Sequence, residues 1–126
     1  VAPAMGGILI GHEVARALGR RFVFTERVDG RMTLRRGFRL EKGEKALVVE
    51  DVVTRGTSSL EVVRVVTEQG GLVTGLAAIV DRTSGTAELP LPLQALARVE
   101  VATWPAHACP LCAAGTPAVK PGSRGN

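Results

Sequence analysis

Leu47-Val48-Val49-Glu50-Asp51-Val52-Val53-Thr54-Arg55-Gly56-Thr57-Ser58 decides how the rest of this chain is read. From Ala46 to Val49 the residues are apolar and rich in β-branched side chains, the pattern of a buried strand, and the run ends in two adjacent carboxylates, Glu50 and Asp51. Val52-Val53 leads into Thr54-Arg55-Gly56-Thr57-Ser58, which is small and hydroxylated, and a helical pattern follows with Leu60, Val63 and Val66 on one side. Ser58 with Glu61 three residues on is a capping-box pattern, so the helix is expected to begin there with its first N–H groups facing the loop.

A strand, a small-residue loop and a helix N-terminus form an anion site, because unpaired amides and the helix dipole both favour a phosphate. The loop is not a Walker loop: the G-x-x-x-x-G-K-[ST] pattern is absent and no lysine follows the glycine. Two carboxylates beside a phosphate repel it unless they hold sugar hydroxyls or a hydrated Mg²⁺. A phosphorylated sugar with a divalent cation satisfies both halves of the stretch. An ordinary strand-loop-helix with acids at the strand end is the bland alternative.

The succession of apolar strand, two acids, two apolar residues and T-x-G-[GT]-[ST] resembles the phosphoribosyl-diphosphate signature of the type I phosphoribosyltransferases. Its form here, E-D-V-V-T-x-G, is most similar to that of orotate phosphoribosyltransferases. The family usually has a small residue where Arg55 stands and often glycine where Thr57 stands. The resemblance implies an α/β fold, a parallel sheet with flanking helices and a β-hairpin flap. It also implies that phosphoribosyl diphosphate (PRPP) contacts Glu50, Asp51, Val52, Val53, Thr54, Arg55, Gly56, Thr57 and Ser58, with Mg²⁺ brought by the diphosphate near Glu50 and Asp51. Thr54 would also touch the base.

The chain has 126 residues, 45% of them hydrophobic, enough for one domain with a modest core. It begins at Val1 in what reads as the middle of a loop, and the resemblance starts partway through the usual fold, so the N-terminal helices and first strand are expected to be missing. A core over residues 1–103 and a Pro/Gly-rich tail over 104–126 are expected.

Arginine outnumbers lysine 13 to 3 in a net charge of +4, which suits a polyanionic ligand. Nucleic acid is disfavoured because aromatics are 3% of the chain and tyrosine is absent, leaving no stacking platform. No apolar run approaches the roughly 20 residues that cross a bilayer, and no signal peptide is visible, so no membrane partner is expected and the cytoplasm is the default location.

Met5 to Leu18 reads as a helix with Ile8, Ala15 and Leu18 on one face, closed by Gly19. Gly6-Gly7 at its mouth would let a ligand approach the backbone, or simply form a turn. Phe22 to Phe24 is a short strand. The segment 28–40 then suggests a hairpin flap, with Asp29-Gly30 as a turn and Met32, Leu34 and Phe38, Leu40 alternating about Arg35-Arg36-Gly37. Five arginines between positions 27 and 39 would stabilise charge building on a diphosphate leaving group. The family places a cationic loop here that closes over the substrate, commonly of a neighbouring subunit. This version has no lysine, so Arg27 and Arg31, with Asp51, are the candidates for catalysis, and a homodimer with shared sites is implied. A solvated charged hairpin is the alternative.

Leu72 to Val80 is a second buried strand after the helix Ser58 to Gln69, giving a parallel, right-handed βαβ unit whose ligand edge carries Asp81-Arg82. Arg82 can fork onto a planar carboxylate, and the resemblance, through D-R-x-x-G at 81–85, implies that it binds that of orotate. A surface ion pair with Asp81 is the other reading. Leu96 to Val101 is expected to be a last strand or short helix. In the tail, Cys109-Pro110-Leu111-Cys112 lies near His107; two such arms in a dimer would fill a zinc site at Cys109 and Cys112, and a disulfide or a free dithiol are alternatives.

These readings converge on transfer of a phosphoribosyl group from PRPP to orotate, with Mg²⁺. A transferase for a purine base and a non-catalytic PRPP-binding regulator of the same fold are the alternatives. Turnover that survives Arg82→Ala would point to the first, and PRPP binding without turnover to the second.

Overall fold

In a computed structural model, residues 1–116 and Val119 are described. The parts of the expected tail at 117–118 and 120–126 lie outside those residues. The elements run β1 (Ala2–Pro3), α1 (Gly7–Ala17), β2 (Phe24–Val28), β3 (Arg31–Leu34), β4 (Lys45–Val53), α2 (Thr57–Glu68), β5 (Leu72–Asp81) and β6 (Leu93–Arg98). A 3₁₀ turn at Ala106–Ala108 and a single helical turn, α3 (Pro110–Ala113), follow.

β4, β5 and β6 form a parallel ladder in that order, and β1 pairs in parallel with β2, which pairs antiparallel with β3. Two backbone bonds join the ladders: the Val1 nitrogen donates to Leu47 O at 2.8 Å and Val49 N–H to Val1 O at 2.9 Å. Donation to residue 47 and acceptance from residue 49 is the slanted pattern of a parallel pair. The strands therefore continue across the molecule as β3-β2-β1-β4-β5-β6.

β4 and β5 flank α2 and pair in parallel, as the apolar runs predicted. Val48 and Val49 are both buried, so both faces of β4 are covered. The strand does not stop at the carboxylates, however. It runs on to Val53, because Val52 and Val53 keep the ladder to Val80 and Asp81.

α2 differs from its reading at two points. Gly56 in a left-handed conformation (φ 75°) is the N-cap, with no side-chain cap, so the helix opens at Thr57 and the Ser58/Glu61 box does not form. The buried face is Ser59, Val62, Val65 and Val66, leaving Leu60 exposed. Val62 and Val66 meet Val48, Leu76, Val23, Leu40 and Ala46 in the core, with Leu89 and Leu91 of the link before β6 and Leu93 of β6 itself packed against it.

α1 is shorter than predicted, and it turns glycine inward. Gly7 and Gly11 are its buried residues, while Leu18 is exposed. A Cβ on Gly7 would lie 3.1 Å from both Ala2 Cβ and Val49 O, so the missing side chains are what let the helix lie on β1 and β4. The hairpin turns at Asp29-Gly30 as predicted, with Thr25 of β2 and Met32 of β3 buried, but residues 38–40 form no strand. The last predicted strand is β6, displaced to Leu93–Arg98.

Candidate functional site

The C-terminal end of β4 and the N-terminus of α2 enclose a cavity of about 400 Å³. Glu50, Asp51, Val52, Val53, Thr54, Arg55, Gly56, Thr57 and Ser58 all line it, so the whole stretch read as a phosphate and sugar site faces one space. Pro3 to Gly6 close one side, and Arg27 and Met32 of the hairpin come over another. The first amides of α2 have no intrahelical acceptor and no capping side chain, which leaves them available to an anion.

The two acids are held differently. Glu50 is buried, and its Oε1 accepts a hydrogen bond from Ser59 Oγ at 3.2 Å. Burial pushes its carboxyl up to about 7; the Ser59 bond opposes that rise, and the neighbouring Asp51 adds to it. Asp51 is half-buried, and its Oδ1 accepts from the Val52 amide at 2.8 Å. Its carboxylate lies against the N-cap of α1, since a Cβ on Gly6 would fall 2.2 Å from Asp51 Oδ2. Gly6 thus serves the carboxylate directly, a role its reading as a ligand approach or a turn does not contain.

Arg27 reaches the cavity in the grip of α2. Its guanidinium pairs with the Glu61 carboxylate, with Nη1 3.2 Å from Oε1, and donates to Gly30 O at 2.5 Å. Arg31, the other candidate cation, does not line the cavity. Arg36 is turned to Glu26, at 2.8 Å through both of its bonds, and lies over the Phe24 ring. Of the five flap arginines, Arg27 alone lines this space.

Arg82 sits on the same sheet edge, its amide donating to Val53 O at 2.8 Å, but it does not line this cavity. Asp81 pairs with Arg98, Nε to Oδ2 at 3.0 Å, and not with Arg82. Arg82 Nε is buried, and among the described residues it has no hydrogen-bond partner.

Ser59 and Glu61 were not singled out as site residues. Ser59 carries a signal, one turn inside the helix after a paired acid, whereas Glu61 pairs with a residue 34 positions away that no local pattern reveals. Among the described residues no group of three or more His, Cys, Asp or Glu is placed to hold a metal ion, and Cys109 and Cys112 are free. Nothing among the described residues of the single chain therefore supports the expected zinc, which called for a second arm from a partner.

The sequence and the fold have counterparts among known proteins. No family model matches the chain. It is 56% identical over 124 residues to the orotate phosphoribosyltransferase of Desulforamulus reducens, a match covering 98% of this chain and 65% of that protein. It is 49% identical over 138 residues to the orotate phosphoribosyltransferase of Campylobacter lari, covering 99% of this chain and 68% of that protein. The chain belongs to the orotate phosphoribosyltransferase family. It spans about 65% of the length of the first of these relatives. The structure of adenine phosphoribosyltransferase from Thermoanaerobacter pseudethanolicus superposes with a TM-score of 0.69 at 19% identity, over 78% of this chain and 67% of that one. That likeness establishes the type I phosphoribosyltransferase fold, as the motif implied. No helix among the described residues is long and apolar enough to cross a membrane.

Proposed function

We propose that this chain carries the phosphoribosyl-binding part of an enzyme of pyrimidine nucleotide synthesis. It transfers the phosphoribosyl group of PRPP to orotate and yields orotidine 5′-monophosphate and diphosphate. One observation carries the reading: Glu50 to Ser58 line a single cavity at a helix N-terminus, with Arg27 beside them. The Thr54–Ser58 loop and the first amides of α2 hold the 5′-phosphate, and Glu50 and Asp51 accept hydrogen bonds from the ribose hydroxyls.

The donor set suits a hard divalent cation that arrives with the diphosphate, since it offers carboxylate oxygens and no full cage of its own. Mg²⁺ held near Glu50 and Asp51 would neutralise diphosphate charge. Arg27 adds a fixed positive charge, and Asp51, seated by the Val52 amide, orients the ribose as C1′ gains oxocarbenium character. Thr54 touches the base. The unpaired Nε of Arg82 supports recognition of the orotate carboxylate, and the whole enzyme works in the cytoplasm as a homodimer with shared sites.

The test follows orotate absorbance with PRPP and Mg²⁺ in the full-length protein and in Asp51→Asn. Orotate consumption that needs Mg²⁺ and disappears in the variant is the expected result. An untouched orotate signal would remove the assignment, and turnover of a purine base unaffected by Arg82→Ala would replace it.

A further inference from the structure

Cys109 and Cys112 line neither the phosphoribosyl cavity nor the core, and the transfer reaction has no use for a thiol. Their placement is nonetheless ordered. Cys109 is the residue before α3, extended at φ −79° and ψ 116°, and Pro110 occupies the first helical position, where its fixed φ suits the turn. Ala113 N–H donates to Cys109 O and Gly115 N–H to Cys112 O, each at 3.0 Å, so the turn holds the two cysteines three residues apart. Positions i and i+3 of one helical turn are neighbours on its surface, so the backbone sets the two cysteine side chains beside each other within one chain. Cys109 is half-buried, Cys112 is exposed, and both are free.

We propose that Cys109 and Cys112 form a dithiol–disulfide site that exchanges with small disulfides of the glutathione class. Donors aimed at Cys109 favour its thiolate and draw its pKa below the ordinary thiol range, while Cys112, which donates to that sulfur, is pushed up. This divides the roles: Cys109 attacks and Cys112 resolves.

In the first step the Cys109 thiolate attacks one sulfur of the small disulfide. A Cys109–S bond forms, the S–S bond of the reagent breaks, and one small thiolate leaves. Cys112 then loses its proton to solvent and attacks Cys109 Sγ, closing the internal disulfide and expelling the second small thiolate. The protein dithiol is oxidised by two electrons, and one small disulfide is reduced to two thiols. A mononuclear zinc site needs four donors, and among the described residues no third joins these two.

The test incubates the full-length reduced protein with glutathione disulfide and follows thiol titre, intact mass and the 109–112 peptide, alongside Cys109→Ser and Cys112→Ser. The expected protein loses both thiols, loses two hydrogens in mass, retains no glutathione and recovers fully with dithiothreitol. Cys112→Ser should stop at a stable mixed disulfide on Cys109, and Cys109→Ser should react more slowly at Cys112. Cys112 is exposed and Cys109 half-buried, and both lie outside the core, so both variants should fold. Two stable glutathione adducts without an internal bond would overturn the proposal. So would thiols that stay reduced in excess reagent, or a bound zinc ion that shields both cysteines until a chelator strips it.

Discussion

At the scale of single residues the site rests on what glycine leaves out and what serine puts in. Gly6 has no Cβ where one would lie 2.2, 2.7 and 2.8 Å from Asp51 Oδ2, Cγ and Oδ1. Gly6→Ala must therefore displace the carboxylate or the start of α1. A displacement near 1 Å in a positioned group costs about 100-fold in turnover. The expected result is a loss of that order with little change in melting temperature, read by orotate consumption and thermal unfolding of one preparation; unchanged turnover would place Asp51 outside the machinery. Ser59 acts on the other acid. Glu50 sits near 7 when folded against an ordinary value of 4.5, so the folded chain binds the extra proton. This term favours folding below about pH 4.5 and is progressively lost as the pH rises toward 7. Ribose hydroxyls donate more strongly to the ionised form, so PRPP affinity should strengthen as the pH passes upward through that value. Removing the hydroxyl in Ser59→Ala takes away the bond that opposes the rise. The pH at which PRPP binding is half-maximal should move upward, and isothermal titration across pH 5.5 to 8.5 would show a fixed profile if Ser59 has no such role.

Between elements the strongest constraints come from pairs distant in sequence. The Arg27–Glu61 pair ties the β2–β3 hairpin to α2, and it is partly exposed, so its contribution to stability is small, about 0.2–1 kcal/mol. Glu61→Gln should thus leave the melting temperature nearly unchanged while speeding hydrogen exchange of the hairpin amides from Thr25 to Leu34. Equal exchange in both proteins would mean that packing alone holds the hairpin. The α1 contact tests a competition of known terms. Gly11→Ala gains up to about 1 kcal/mol of helix propensity, but its Cβ would meet Phe22 Cε2 at 2.5 Å and Ala2 Cβ at 2.9 Å. Phe22 can swing aside; Ala2 is fixed by backbone bonds to Val23 O and by the seam to β4. Overpacking of this kind costs about 1–3 kcal/mol, so denaturant unfolding should show a net loss. These pairs also explain how far the sequence could be read. Leu47 to Ser58 announced β4, the loop and a following helix because strand periodicity, paired acids and small residues are local signals. The start of α2 was misplaced because Gly56 supplies the positive φ and Glu61 is taken by Arg27, which leaves the local capping pattern unused. The inward face of α1 was missed because it is made of glycine, which carries no hydrophobic signal.

For the whole molecule the question is how stability is distributed along the six strands of the described residues. β4 and β5 have Val48, Val49, Leu76 and Ala78 buried between covering layers, whereas β6 is exposed from Gln94 to Arg98 and holds to β5 by one ladder. Amides in a buried central pair exchange only when the domain opens globally, while an exposed edge strand opens locally at lower cost. Hydrogen exchange should therefore be slowest from Leu47 to Val53 and from Leu76 to Asp81, and fast in the amides of β6. Leu76 is 2% exposed and packs on Val48, Val62 and Val66, so Leu76→Ala should remove about 2–5 kcal/mol. That is a large share of the roughly 5–15 kcal/mol that holds a domain of this size together. The same substitution separates the two kinds of opening. It should accelerate the β4 and β5 amides in proportion to the lost stability and leave the β6 amides beyond Leu93 at their original rate, because Gln94 to Arg98 are exposed and only Leu93 pairs with Leu76. If β6 instead exchanged as slowly as β4 and accelerated with it, the exposed edge would be part of the cooperative unit, held by something beyond its one ladder to β5.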